Sequence, residues 1–402
     1  MEELEQFRVE VREWLEANCP ASQRLPITPE QQYWGGRNGS FASDDARVWF
    51  ERMLAKGWTV PEWPREYGGA GLDAQQARIL KKEMTRLGCR TPLYGLGIWM
   101  LGPALLEYGN EEQKRVHLRA IAEGRLRWCQ GYSEPGAGSD LASLQTRAED
   151  RGDHFLVNGS KIWTSGADKA DWIFCLVRTD PQARKQQGIS FLLIDMKTPG
   201  ITVSPIRLLD GTPEVNEVHF DHARVPAANL VGEENRGWTY AKYLLTHERT
   251  GIAQVAKSRM RLAKLKEIAR GTAHEGAALI EEPCFARRVA EVEIDLMALE
   301  YTELRALASV STGKAPGPES SILKIKGTEI AQAIDELLVE AAGWYALPFV
   351  PEQFHAGYEG WRVGPGAAAN AAPIYFNNRK ASIYGGSNEI QRNIIAREVL
   401  GL

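Results

Sequence analysis

The stretch Cys129-Gln-Gly-Tyr-Ser-Glu-Pro-Gly-Ala-Gly-Ser-Asp-Leu-Ala-Ser143 carries the strongest chemical signal in the chain. Gly136, Ala137 and Gly138 leave the backbone almost bare, so its N–H groups can approach a bulky anion, and Ser133 and Ser139 add hydroxyl donors. No Gly-Lys-Ser/Thr follows and no G-x-G-x-x-G opens a βαβ unit, which disfavours the common nucleotide folds. A plain Pro/Gly surface turn would also account for Glu134 to Gly138. Lys161-Ile-Trp-Thr-Ser-Gly166 sets Trp163 beside two hydroxyls, a combination that can wall off a flat heterocycle while donating to it; a core tryptophan and a turn serine are the plainer alternative. In Ile383-Tyr-Gly-Gly-Ser-Asn-Glu-Ile-Gln-Arg392, Ser387 or Asn388 can cap a helix, and such an end offers free N–H groups to phosphate.

The elements that must position these residues follow from periodicity. Leu4 to Leu15 repeats at helical spacing, residues 18–43 carry breakers, and helices are expected at about 44–56, from an Asp73 cap to Leu87, at 93–107 and, capped by Asn110, at 110–123. After Gly124 the pattern alternates. Asn158-Gly159 between apolar runs reads as a hairpin turn, and Trp172–Val177, Ile189–Ile194, Ile201–Leu208 and Val215–Phe220 read as strands. Helical patterning returns beyond Gly237 and runs to Leu400, interrupted at 311–318 and 343–366. The plan is α, then β, then α, with expected domains at 1–125, 126–235 and 236–402.

With 402 residues, 44% hydrophobic and 25% charged, the chain has the makings of a large core and two or three domains. It lacks an apolar run of about 18 residues and opens on an acidic segment, so neither membrane insertion nor secretion is expected. Five scattered cysteines without C-x-x-C suit a reducing cytoplasm. A net charge of −4 argues against nucleic acid as partner. His219-x-x-His222 lacks a third ligand in register, so no metal is expected. The basic stretch Lys257 to Arg270 reads as a solvated helix face.

The string from Cys129 to Ser143 resembles the flavin-binding signature of acyl-CoA dehydrogenases, and the other two motifs follow in that family's order. The resemblance spans about residues 4 to 400. It implies an α+β fold: an N-terminal helical domain, a central β-barrel-like domain and a C-terminal four-helix-bundle domain. It also implies FAD as cofactor, with Gln130, Tyr132, Ser133, Gly138, Ser139, Trp163, Thr164, Ser165, Ser387, Asn388 and Glu389 at cofactor-contact positions. Ser139, Arg249, Gly385 and Gly386 fall at substrate positions.

One departure from the family pattern concerns the base. Gly385 stands where many members carry the catalytic glutamate, and removal of a weakly acidic α-proton needs a carboxylate. A subset places that glutamate before an arginine in the first helix after the β domain, and Thr246-His-Glu-Arg249 matches it. Glu248 is therefore the expected base, although a lone helix carboxylate is ordinarily a solvated one. The Gly385 N–H can help polarise the thioester carbonyl.

A second departure concerns assembly. The Arg-x-x-Phe-Gly element of homotetrameric members is missing between 264 and 290, and Glu340-Ala-Ala-Gly343 stands near the place of a later Gln-x-x-Gly-Gly. This resembles the larger subunit of heteromeric dehydrogenases acting on steroid side chains or pimeloyl-CoA. The expected partners are an acyl-CoA substrate, an electron-transfer flavoprotein and a second dehydrogenase-like subunit, or copies of this chain in a homo-oligomer. The implied reaction makes a trans α,β double bond in an acyl-CoA thioester. An acyl-CoA oxidase on the same fold and a non-catalytic structural subunit remain alternatives, and the acyl group is left open, with Trp99, Met100 and Leu101 as candidate cavity residues.

Overall fold

The computed structural model describes residues 2–24, 27, 31–248, 253–311, 317, 319–354, 358–364 and 370–402. Two compact units result, one of residues 1–206 and 214–244, the other of 207–213 and 245–402.

The first unit begins with helices whose ends are set by side chains. Helix α1 (Glu2–Asn18) buries Val11 and Leu15, one helical turn apart, against a core containing Trp49, Met53 and Leu80. Ser43 caps α2 (Asp44–Ala55) by accepting from the Ala46 N–H, and Asp73 with Gln76 forms a capping box at the start of α3 (Ala74–Leu87). Gly88, at φ 73°, ends α3 in a left-handed conformation that only glycine adopts without cost.

Helix was expected over 93–107, but the helical backbone is wide at 97–101 and becomes regular only in α4 (Gly102–Tyr108). Asn110 caps α5 (Glu111–Gln113), which continues through a second wide segment, Lys114–Leu118, into α6 (Arg119–Ala122).

Between α1 and α3 the buried Glu83 carboxylate accepts from Arg12 (3.0 Å) and Arg86 (2.7 Å). The Arg12 hydrogen bond, helped by Arg86 and opposed by burial, holds its carboxyl down at about 2. A carboxyl lowered on folding stabilises the protein above its unfolded value near 4.5, and that contribution fades as pH falls toward 2. Wild type is expected to lose stability more steeply than Glu83→Gln between those values. Denaturant melts at stepped pH check this; parallel curves would contradict it.

The sheet runs β1 (Trp128–Gly131), β2 (Arg147–Asp150), β3 (His154–Ser165), β4 (Trp172–Arg178), β5 (Ile189–Asp195), β6 (Ile201–Ile206) and β7 (Val215–Pro226) along the chain. In space the order is β1-β4-β2-β3-β7-β6, with β5 also on β4. β1 is parallel to β4, while β2 with β3, β3 with β7, β4 with β5 and β6 with β7 are antiparallel. Strands β4 and β5 are buried almost throughout, as a continuous apolar run requires. The edge strand β6 tolerates Pro205, which an interior strand would not.

The expected hairpin at Asn158-Gly159 is absent: β3 passes straight through it. Gly159 instead sits at φ 143°, where the β3–β7 register shifts, and an added Cβ would lie 2.7 Å from the Thr146 backbone. The Asn158 side chain accepts from the His222 N–H at 2.8 Å. The dipeptide therefore serves a bulge and not a reversal. The real turn lies at Arg151-Gly152-Asp153, where β2 meets β3 and the Arg151 N–H donates to the His154 carbonyl.

Helix α7 (Gly237–Glu248) leaves the sheet with Gly237 packed where a Cβ would lie 2.6 Å from the Ser190 backbone. The second unit holds α8 (Val255–Gly271), a small hairpin of β8 (Ala273–His274) and β9 (Ala277–Ala278) that the sequence reading missed, α9 (Pro283–Ser311), α10 (Glu319–Ala342), α11 (Ala371–Asn378) and α12 (Asn388–Leu400). α10 packs on each of the other four helices, and Leu265, Phe285, Leu299, Ile334 and Leu337 lie in the shared core. An ion pair between the half-buried Arg261 and the buried Asp335 joins α8 to α10.

Candidate active site

The glycine-rich stretch is built on an ion pair. Glu134 and Ala137 exchange two backbone hydrogen bonds of 3.0 Å, which places Pro135 and Gly136 at the tip of a tight turn. The Glu134 side chain folds inward. It accepts from the N–H groups of Gln145 (2.6 Å) and Thr146 (2.9 Å) and from Lys161 Nζ (2.7 Å). Lys161 is wholly buried and also donates to the Tyr132 carbonyl at 3.2 Å. Burial alone would raise the Glu134 carboxyl, but the Lys161 charge, its hydrogen bond and the donors at Thr146 and Gln145 outweigh that and hold it below its usual range.

The turn is thus pinned from beneath while its outer face stays bare. Gly138 and Ser139 are exposed, and a Cβ added at Gly136 or Gly138 would meet nothing within 4 Å. Their lack of side chains serves no packing need inside this unit; it leaves the backbone approachable.

Strand β3 passes directly beside this turn, since the Ile162 N–H donates to the Ser133 carbonyl at 2.9 Å. At the second shift in the β3–β7 register, Trp163 adopts φ 60° and is 56% exposed. A bulky residue held left-handed with its ring toward solvent is strained without any packing return, which is where functional groups gather. The next residue turns inward: Thr164 Oγ1 is buried with no partner among the described residues, while its carbonyl accepts from Asn216 Nδ2 at 3.1 Å. Ser165 is exposed at the strand end. On β1, Gln130 Nε2 is likewise buried and unpartnered, and Tyr132 is buried with its ring edge-on to Phe174.

The first unit therefore sets β1 and the residues after it, with Gln130, Tyr132 and Ser133, against β3, with Trp163, Thr164 and Ser165. Two orphaned polar groups, a presented indole and an open glycine turn fit a flat, polar-edged heterocycle with an anionic tail. Sequence reasoning missed Glu134 and Lys161, the groups that shape this face. A lone Glu in a Pro/Gly turn and a Lys in an alternating strand both read as exposed.

In the second unit, Gly385 and Gly386 stand at φ 64° and 80°, both exposed. Ser387 caps α12 by accepting from the Ile390 N–H at 3.4 Å. Asn388 is buried and paired with Thr328 Oγ1 of α10 at 3.1 Å, so its side chain holds the helix start in place, and Glu389 is exposed. Glu248 is the last residue of α7; its side chain, and all of Arg249, lie outside the described residues. His219 faces Ser160 Oγ at 2.9 Å and His222 faces Asp221 at 2.6 Å.

The N-terminal, middle and C-terminal domain models of acyl-CoA dehydrogenases match residues 1–125, 129–223 and 235–400. Acyl-CoA dehydrogenase IpdE1 of Mycobacterium tuberculosis is 34% identical over 410 residues, covering 100% of this chain and 98% of that protein. A chain in each of two solved complexes aligns over 100% of this chain and 98% of its own length, at 31% identity and TM-score 0.76: the ChsE4-ChsE5 complex from Mycobacterium tuberculosis and the Tcur3481-Tcur3483 steroid ACAD. Matched along its whole length in all three domains, the chain belongs to the acyl-CoA dehydrogenase family of FAD-binding oxidoreductases.

Proposed function

We propose that this chain binds FAD and acts as the catalytic subunit of a heteromeric acyl-CoA dehydrogenase, forming a trans α,β double bond in an acyl-CoA thioester. The observation that carries the reading is the pairing of orphaned Gln130 Nε2 and Thr164 Oγ1 with the strained, exposed Trp163 beside the open turn. When bound, FAD supplies the acceptor for the β-hydride. Gln130 and Thr164 would hold its ring edge, Trp163 and Ser165 would cover it, and the N–H groups around Gly136 to Ser139 would meet its phosphates or those of the substrate.

Glu248 takes the α-proton. The Gly385 N–H accepts no assignment within the protein: among the described residues it has no acceptor, so it is available to the thioester oxygen as charge gathers there. By the family resemblance Ser387 and Glu389 would add cofactor contacts, Asn388 would do so only through its backbone because its side chain is held by Thr328, and Arg249 and Gly386 would serve the substrate.

Likeness to a complex named a steroid ACAD puts CoA thioesters of steroid side chains first among substrates. The same heteromeric complexes support a second dehydrogenase-like subunit as partner, and an electron-transfer flavoprotein would reoxidise the flavin. The test is anaerobic addition of linear, dicarboxylic and steroid acyl-CoA thioesters to the purified yellow complex. Bleaching by one class, with reoxidation by electron-transfer flavoprotein much faster than by air, is the expected result. Rapid air reoxidation would make it an oxidase, and a colourless complex would make this chain structural.

A further inference from the structure

Lys324 of α10 is buried at 1% exposure, yet its ammonium reaches the exposed turn at Tyr384–Gly386. Nζ donates to the Tyr384 carbonyl at 2.6 Å and to the Ala381 carbonyl at 2.7 Å, and it lies 4.8 Å from the centre of the Tyr384 ring. The Tyr384–Gly385 peptide is trans, as are all those described. In a trans peptide the C=O and the following N–H point in opposite directions. Fixing the Tyr384 oxygen inward on Lys324 therefore turns the Gly385 N–H outward, where no acceptor among the described residues meets it. The positive φ values of Gly385 and Gly386 keep the turn free of Cβ atoms around that N–H.

The charge has a second effect. An amide whose oxygen accepts from an ammonium is polarised, and its N–H becomes a stronger donor. We propose that Lys324 is a positioning residue for the dehydrogenation: through the Tyr384–Gly385 amide it aims and strengthens the N–H that polarises the thioester carbonyl. This rests on the dehydrogenase reading above. Glu248 would remove the α-proton faster because Lys324, without touching substrate, lowers the energy of the enolate-like charge on the thioester oxygen.

Acetoacetyl-CoA is the probe, because it ionises to an enolate whose charge sits on the same carbonyl and whose complex with oxidised flavin absorbs at long wavelength. Wild type, Lys324→Met and Lys324→Arg are compared in the purified complex for flavin content, for the pH midpoint of that band and for flavin reduction by the best acyl-CoA. Lys324→Met is expected to retain flavin, to lower the saturating reduction rate about 10-fold with KM nearly unchanged, and to move the enolate midpoint up by about one pH unit. Lys324→Arg is expected to restore most of both.

A flavin-loaded Lys324→Met with the wild-type midpoint overturns the role of Lys324 while leaving the dehydrogenase reading intact. If that variant does not fold, Lys324→Gln, a neutral donor, carries the same comparison with the same criterion. A wild type that neither bleaches with any thioester nor forms the enolate overturns both readings.

Discussion

Glu248→Gln is expected to slow flavin bleaching by acyl-CoA by about 10²- to 10⁴-fold while leaving FAD bound. The substitution keeps the size of the side chain and removes its basicity, so a loss confined to the reduction rate isolates proton removal from binding. Two positions point to this residue. Gly385 carries no side chain and stands at φ 64°, a conformation in which glutamate would be strained, so the base must come from elsewhere. Glu248 closes α7, the helix that leaves the sheet. Rapid mixing under anaerobic conditions checks the prediction. Unimpaired bleaching would move the search to another carboxylate.

Lys161→Met is expected to be the most damaging single change to the cradle. Methionine fills the cavity of the aliphatic stem but leaves the buried Glu134 carboxylate without its cation, at a cost of about 3–5 kcal/mol. Glu134 would keep its two backbone donors at Gln145 and Thr146, so the turn loosens at the Lys161 side first. The expected outcome is a lower denaturation midpoint together with weaker flavin retention. Adding Glu134→Gln should recover part of the stability, because the uncompensated charge is then gone. Urea melts of the two single variants and the double variant test this; a double variant no better than Lys161→Met would contradict it.

Much of this architecture was readable from residue types acting locally. Asp73 and Asn110 each make the cap that the sequence assigns, because a cap needs only a side-chain oxygen and the next few N–H groups. The strands β4 and β5 follow from apolar runs bounded by turn residues. Asn158-Gly159 misled for the complementary reason. Turn propensity describes an isolated chain, whereas here Thr146 crowds Gly159 and His222 occupies the Asn158 side chain, both supplied by distant segments.

The site shows the same division. Trp163, Ser165 and the glycine turn could be picked out because their types are unusual in their places. Glu134 with Lys161, 27 residues apart, and Lys324 with Tyr384, 60 apart, could not, because nothing local marks a charge as buried. Apart from the Glu134–Lys161 pair itself, their partners are backbone carbonyls and N–H groups, which carry no residue-type signal, so no sequence pattern announces the contact.

Dehydrogenation of the thioester by this chain is measured most directly as product mass against flavin bleached. The complex would be mixed anaerobically with the best acyl-CoA thioester at less than one equivalent, and the thioester recovered and weighed by mass spectrometry. One thioester lighter by two hydrogens is expected for each flavin reduced in wild type, and almost none over the same interval in Glu248→Gln. Flavin that stays oxidised with every thioester class, or that bleaches without any loss of two hydrogens from the thioester, would contradict it.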